Sequence, residues 1–212
     1  MFDKDAVKAA YEDFASDFDA GWPLHIRSHQ EWIAAHWPAA CPENGTALDL
    51  GCGTGWMLKH LAAAHPAMSL YGSDFSPAML KIARKAAPDA EIISGDIEDD
   101  AFTATLPQAD IVLSLGILHH MADIDAHLRL LRQLGKAGGA AFLSCFACDG
   151  DVMQAYDAYL QENYDFYNQS LPHDVLTARL DALYPAAITA KEVFSGDGDT
   201  LWQIFRLDFP KS

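Results

Sequence analysis

LDLGCGTGWMLKHL, residues 48–61, begins as an apolar strand and ends as a helix, with Gly51, Gly53 and Gly55 at the joint. Glycine there admits positive φ and lets a ligand approach where a Cβ would block it. N–H groups at the helix start, near Trp56, favour an anionic ligand group. The spacing is GxGxG rather than the GxGxxG of dinucleotide sites. Alone, it also describes a tight strand-to-helix turn that binds nothing.

Working outward, apolar runs at 46–50, 69–73, 90–94, 109–114 and 139–146 read as strands. Helical segments at 56–65, 77–86 and 123–135 separate them. Ser76-Pro77 places a capping hydroxyl before a proline at the first helical position. Lys136-Ala137-Gly138-Gly139 ends a helix and leads into a strand. Strand–helix alternation with short joints implies parallel strands and right-handed crossovers, an open α/β sheet. Helices at about 151–164 and 173–184 follow, then strands at 187–194 and 200–208. The five-residue turn Ser195–Asp199 is too short for a crossover, so the last two strands pair antiparallel. The organisation expected is one domain over 1–212: an N-terminal helical arm at 1–40, a ligand-binding core at 45–146, and late helices and strands at 147–212.

Fourteen basic residues stand against 30 acidic ones, a formal net charge of −16. That surface repels phosphate backbones and anionic lipid, so neither nucleic acid nor membrane is an expected partner. No uncharged apolar stretch reaches the roughly 18 residues of a membrane span. Four cysteines are too few for a disulfide scaffold, and the charged N-terminus carries no apolar leader, so a reducing cytoplasm is expected.

Beyond the glycine turn, LYGSDFSPAML puts Asp74 just past the second strand, where a carboxylate can accept from the vicinal hydroxyls of a ribose. Phe75 can lie against a purine, and Asp96, in AEIISGDIED at the end of the third strand, can accept from an exocyclic amine. Each acid alone could be a helix cap. With the glycine turn they describe a nucleoside pocket, and one without an evident phosphate-binding Lys or Arg.

In these segments the chain resembles the class I S-adenosylmethionine-dependent methyltransferases, in detail over roughly residues 45–146. ALDLGCGTG resembles their glycine-rich motif, GSDFSPAML and SGDIED the acidic motifs of the second and third strands, and DIVLSLGILHHMAD the fourth-strand segment. The resemblance implies a Rossmann-like open seven-stranded sheet, mostly parallel with an antiparallel last strand, helices on both faces, and S-adenosylmethionine as cofactor. It implies that Asp49 and Gly51 hold the methionine end and that Gly53 and Gly55 give close backbone approach, with Cys52 inside the same turn. Asp74 then binds the ribose, Phe75 flanks adenine, Asp96 accepts from its amine, and the Ile97 N–H faces the ring. Ser114 offers backbone to the methionine amine, and Tyr11 falls where related small-molecule enzymes carry an aromatic over the cofactor.

Methyl transfer from a sulfonium is an in-line displacement, and a base is needed only if the acceptor loses a proton. His119 and His120 follow the fourth strand and suit a general base, or cap and pack the next helix. Cys145-Phe-Ala-Cys148 lacks two further ligands at zinc spacing and reads as packing or acceptor-pocket lining. No metal is expected; His25, His29 and His36 read as surface histidines. Tyr11, Phe14, Phe18 and Trp22 share one helical face, either buried on the sheet or closing as a lid. Tyr156, Tyr159, Tyr164, Phe166 and Tyr167 offer a second apolar wall. The expected activity is methylation of a small molecule in an enclosed site. The competing readings are a non-catalytic cofactor-binding protein of the same fold and a nicotinamide-dependent oxidoreductase.

Overall fold

The computed structural model describes residues 4–147 and 170–211, together with Asp151, Ala155, Ala158 and Glu162. Seven strands form one sheet: β1 (Thr46–Leu50), β2 (Ser69–Asp74), β3 (Glu91–Ser94), β4 (Ala109–Leu115), β5 (Gly135–Phe146), β6 (Ile188–Ser195) and β7 (Leu201–Asp208). Their order is β3-β2-β1-β4-β5-β7-β6. The pairs from β3 through β5 are parallel, whereas β7 runs antiparallel to both β5 and β6. The strand order reverses between β1 and β4, and this is where an open sheet leaves a crevice at its carboxyl edge.

Eight helices accompany the sheet among the described residues: α1 (Lys4–Asp13), α2 (Phe18–Gly21), α3 (Pro23–Ala35), α4 (Trp56–Ala64), α5 (Pro77–Ala86), α6 (Asp100–Thr103), α7 (Ile124–Leu134) and α8 (His173–Leu183). The two-residue period of the central strands sorts their side chains to two faces. Leu48, Leu50, Val112, Ala141, Leu143 and Phe205 meet Leu128 and Leu131 of α7 and Leu176 and Leu180 of α8. On the other face Ala47, Ile111, Leu113 and Phe142 meet Met57, Leu58 and Leu61 of α4, Leu80 and Ala83 of α5, and Trp32 and Ile33 of α3. Both faces are covered, so these strands read as continuous apolar runs.

The Ser76 hydroxyl caps α5, accepting from the Met79 N–H at 3.4 Å, with Pro77 at the first helical position. The joint at 136–139 falls differently from its sequence reading. The α7 helix stops at Leu134 and β5 begins at Gly135, so Gly138, at φ 76, lies within the strand, where the β4–β5 register shifts. Glycine here absorbs an irregularity in a ladder instead of ending a helix.

The N-terminal aromatics do not share one helix. The α1 helix ends at Asp13 and the short α2 ends at Gly21, leaving Phe14 between them and Trp22 just before Pro23. Proline favours the start of a new helix there and cannot continue an old one. That new helix, α3, has no cap from its own side chains; Asp197 of the β6–β7 turn accepts from Leu24 N–H at 3.2 Å and His25 N–H at 2.8 Å. A carboxylate on an orphan N-terminus is stabilising by charge as well as by hydrogen bonding. We expect Asp197→Ala to lower unfolding stability by about 1 kcal/mol in a urea titration, and Asp197→Asn to recover part of it.

Candidate active site

The carboxyl ends of β1 through β5 and the N-terminal arm enclose a cavity of about 130 Å³. Gly51 (φ 66), Gly53 (φ 52) and Gly55 (φ 78) all occupy the left-handed region, so each turn residue is one that an L side chain strains. Their surroundings separate their roles. A Cβ on Gly51 would lie 2.5 Å from Ile117 Cγ2, and one on Gly55 would lie 3.0 Å from Ala83 Cα in α5. A Cβ on Gly53 would meet nothing within 4 Å, which leaves open room beside the backbone for a ligand.

Asp74 is buried and bridges the turn to the next helix: Oδ2 accepts from Gly53 N–H and Oδ1 from Ser76 N–H, both at 2.9 Å. Burial raises its pKa above the ordinary carboxylate range, opposed by the N–H groups of Ser76, Gly53 and Phe75. Each oxygen keeps acceptor capacity, enough for two vicinal hydroxyls. Asp49, buried below the turn, is pushed up to about 8 by burial and by the Asp74 carboxylate. It therefore holds a proton near neutrality until a cation comes beside it.

Across the cavity Asp96 Oδ1 accepts from Glu98 N–H at 2.9 Å, and Lys4 of α1 reaches Asp96 Oδ2 at 2.7 Å and Glu98 Oε2 at 2.8 Å. Two more ties hold the arm down: the Tyr11 hydroxyl is hydrogen-bonded to His120 Nε2 at 2.8 Å, and Thr54 Oγ1 donates to Asp19 Oδ1 at 2.6 Å. Phe75 packs with Val7, Ala10, Tyr11 and Phe14. The arm thus lies over the glycine turn, both acids and the histidine pair.

Of the residues singled out from sequence, Tyr11, Gly51, Gly53, Asp74, Phe75, Asp96, Ile97, His119 and His120 line this cavity. Asp49, Cys52, Gly55 and Ser114 stand behind that lining. The Cys52 side chain packs over Gly72 of β2, where an added Cβ would approach its Sγ to 2.9 Å. Ser114 is tied inside β4, its hydroxyl 2.8 Å from His127 Nε2, and its neighbours Leu115 and Gly116 face the cavity instead. Cys145 is buried in the core with its thiol pushed up to about 12 by burial; Cys148 and the late tyrosines with Phe166 lie outside the described residues.

The expectation of surface histidines fails at His25 and His29, both buried. His29 donates from Nδ1 to the His25 carbonyl at 2.7 Å, which leaves Nε2 to accept from the Ser144 hydroxyl at 2.8 Å. Ser144 Oγ in turn accepts from Gly116 N–H at 3.1 Å. This chain of bonds pins α3 to β5 and puts the His25 ring against Trp202, with centroids 4.1 Å apart. The i, i+4 spacing of His25 and His29 marked one helix face; only the packing of α3 on the sheet shows that it is the inner one. His36 remains partly exposed, stacked on Trp32. Among the described residues no cluster of His, Cys, Asp and Glu could hold a metal ion, and no helix is long and apolar enough to cross a membrane.

Lys4, Trp22, His25, Trp56, Glu98, Phe146 and Trp202 also line the cavity. Trp22 belongs to the aromatic series read in the arm, Trp56 opens the helix after the glycine turn and His25 is spaced four from His29, but with Lys4, Glu98, Phe146 and Trp202 they form no spaced motif, so sequence offers no signal that gathers all seven.

Comparison with known proteins agrees with this architecture. A family profile described as a methyltransferase domain matches residues 48–143. The 2-phytyl-1,4-naphtoquinone methyltransferase of Thermosynechococcus vestitus is 30% identical over 190 residues, 85% of this chain and 81% of that protein. The tRNA U34 carboxymethyltransferase of Hahella chejuensis is 27% identical over 172 residues, covering 77% of this chain and 51% of its own length. Among solved structures, human N-acetylserotonin methyltransferase in complex with S-adenosylmethionine superposes with a TM-score of 0.67 at 18% identity, over 96% of this chain and 57% of that one. The chain spans about half the length of several curated relatives that it matches. With its sheet order, glycine turn and strand-end acids, this chain belongs to the class I S-adenosylmethionine-dependent methyltransferases.

Burial holds seven histidines below their ordinary range, His60 and His65 among them and five deeply: His29 and His127 near 4, His120 near 3, and His25 and His119 well below it. In the unfolded chain all five take up protons below about pH 6.5, so the folded state binds fewer and loses stability as pH falls from about 6.5 to 4. Asp49 and Asp74 act oppositely, the contribution of Asp49 fading as pH rises from about 4 to 8. Five groups outweigh two, and thermal melts should show Tm dropping on the order of 10 °C from pH 7 to 4.5. A constant Tm over that range would contradict the buried neutral histidines.

Proposed function

We propose that this chain transfers a methyl group from S-adenosylmethionine to a small-molecule acceptor. The observation that carries the reading is the convergence of the glycine turn, Asp74 and Asp96, from three successive strand ends, on one cavity closed by the N-terminal arm. The residues present fit that cofactor. Asp74 accepts from the ribose hydroxyls, Phe75 lies along adenine, Asp96 accepts from its amine, and the Ile97 N–H faces the ring. Gly51 and Gly53 give backbone approach at the methionine end, with Gly55 and Cys52 holding the turn in shape. Asp49 beneath it ionises in response to a cationic group. The backbone role expected of Ser114 passes to Leu115 and Gly116. Among the described residues no Lys or Arg other than Lys4, itself paired with two carboxylates, lines the cavity, which suits a phosphate-free ligand.

When bound, S-adenosylmethionine supplies an electrophilic methyl carbon on sulfur. The protein's part is to hold an acceptor in line with it, exclude water and take a proton where the acceptor must lose one. His120 is engaged by Tyr11, so His119 is the residue left to act as base. Burial keeps it unprotonated at neutral pH. Tyr11, through that bond, places the arm and His120 together.

The relatives divide over acceptor class: one is named for a naphthoquinone, another for tRNA. The acidity of this chain therefore does not by itself set nucleic acid aside. The small-molecule reading rests on the enclosure of the cavity by Tyr11, Phe14, Phe18 and Trp22, which half-bury themselves over it. We take 1–212 as one functional unit of arm, core and late segment, and place it in the reducing cytoplasm that its few cysteines suit.

Calorimetry with S-adenosylmethionine and S-adenosylhomocysteine tests the reading. Both should bind, and Asp74→Ala should weaken binding at least about 30-fold through loss of charge-assisted hydrogen bonds. A wild-type protein that binds neither overturns it. Release of S-adenosylhomocysteine with an acceptor present separates an enzyme from a binding protein of this fold, and tight NADH binding would favour the oxidoreductase.

A further inference from the structure

The cavity is divided by charge along the strand order. Asp74 ends β2, Asp96 and Glu98 follow β3, and Lys4 is bonded to the latter two. These four are the charged residues among those lining the cavity, and all lie on the β2–β3 side. Phe146 at the end of β5 and Trp202 at the start of β7 lie on the other side, three strands or more away, about 14 Å at the ordinary spacing. Among the described residues the lining there is uncharged and dominated by rings, with Leu115, Ile117 and Met121 beside them. Phe146 and Trp202 have ring centroids 4.3 Å apart, His119 packs on Phe146 at 4.5 Å, and His25 on Trp202 at 4.1 Å. Trp22 of the arm closes it edge-on, 6.2 Å from Trp202 at 89°. Gly116 (φ 75) forms its floor; a Cβ there would already touch Trp202 at 3.4 Å.

Resting on the methyltransferase reading, we infer that this aromatic chamber is the acceptor subsite and that it selects a neutral, planar aromatic molecule carrying a hydroxyl group. The ring faces and edges that border the cavity reward a flat apolar body with stacking and edge contacts. Among the described residues an acceptor carboxylate would be buried there without a cationic partner, since Lys4 is committed at the far side, and an ammonium would have no carboxylate beside it. Burial lowers the pKa of His25 and His119, so in the resting site neither supplies the missing cation. At the hydroxyl, the O–H bond breaks as the O–CH3 bond forms; the carbon–sulfur electron pair stays on sulfur, and the proton passes to the His119 imidazole. The products are the methyl ether, S-adenosylhomocysteine and one proton, which leaves to solvent.

Two probes sharing one ring test this: 2-naphthol and 3-hydroxy-2-naphthoate. With S-adenosylmethionine present, 2-naphthol should release S-adenosylhomocysteine with a kcat/KM at least 10-fold above that of the carboxylate. Trp22→Arg, in the half-buried arm, should narrow or reverse that ratio by giving the carboxylate a partner. The binding arm uses wild-type protein alone and with S-adenosylhomocysteine, titrated calorimetrically with each probe, and does not depend on the variant folding. Equal or preferred use of the carboxylate, or binding of neither probe, overturns the inference. Turnover of an aliphatic amine in preference to 2-naphthol overturns it too. If S-adenosylmethionine itself fails to bind, the cofactor reading falls, while the probe titration still decides what the chamber selects.

Discussion

One buried carboxylate holds the ligand edge of this molecule together. Asp74 takes an N–H from the turn after β1 and another from the start of α5, so a single side chain fixes the relative position of two strand ends and a helix. The three glycines make that arrangement sterically possible, since their left-handed backbone points Gly53 N–H at the acid instead of into the α4 ladder. The cost is a carboxylate out of water, and its effect is felt one layer deeper, where Asp49 is kept protonated. Charge is thus concentrated at the place proposed for a nucleoside with a cationic tail.

The opposite wall is organised by different forces. Its rings are set by packing and by a buried polar chain from Gly116 through Ser144 and His29 to the His25 carbonyl, which locks α3 against β5. The start of α3 is in turn fixed by Asp197 from the far hairpin. Polar groups there serve to position apolar surface, and charge is kept away from it. The two halves of one cavity therefore differ in kind: one is built from backbone and carboxylates, the other from aromatic faces.

Legibility in the sequence followed the same division. The core strands and α4, α5 and α7 were readable within a few residues because their buried faces impose a period, and Ser76-Pro77 marked a helix start by local chemistry alone. Asp74 and Asp96 were legible because strand ends and short turns fix where they fall. The arm was misread as one helix, since Tyr11, Phe14, Phe18 and Trp22 keep a helical spacing while Gly21 and Pro23 reset the chain. Trp202 gave no signal and the spacing of His25 and His29 marked only one helix face, because the meeting of His25 with Trp202 depends on β7 lying next to β5 and on α3 packing over the sheet. Lys4 met Asp96 across 92 positions, a distance that no local pattern spans.

The arm is fastened by three small ties, Lys4 to Asp96, Tyr11 to His120 and Asp19 to Thr54, rather than by a broad apolar seam. A half-exposed ion pair of this sort is worth roughly 0–1 kcal/mol, and only Val7 and Ala10 of α1 are buried. Such a cover is cheap to lift: losing three short contacts would free the arm while leaving the seven-stranded sheet and its two packed faces intact.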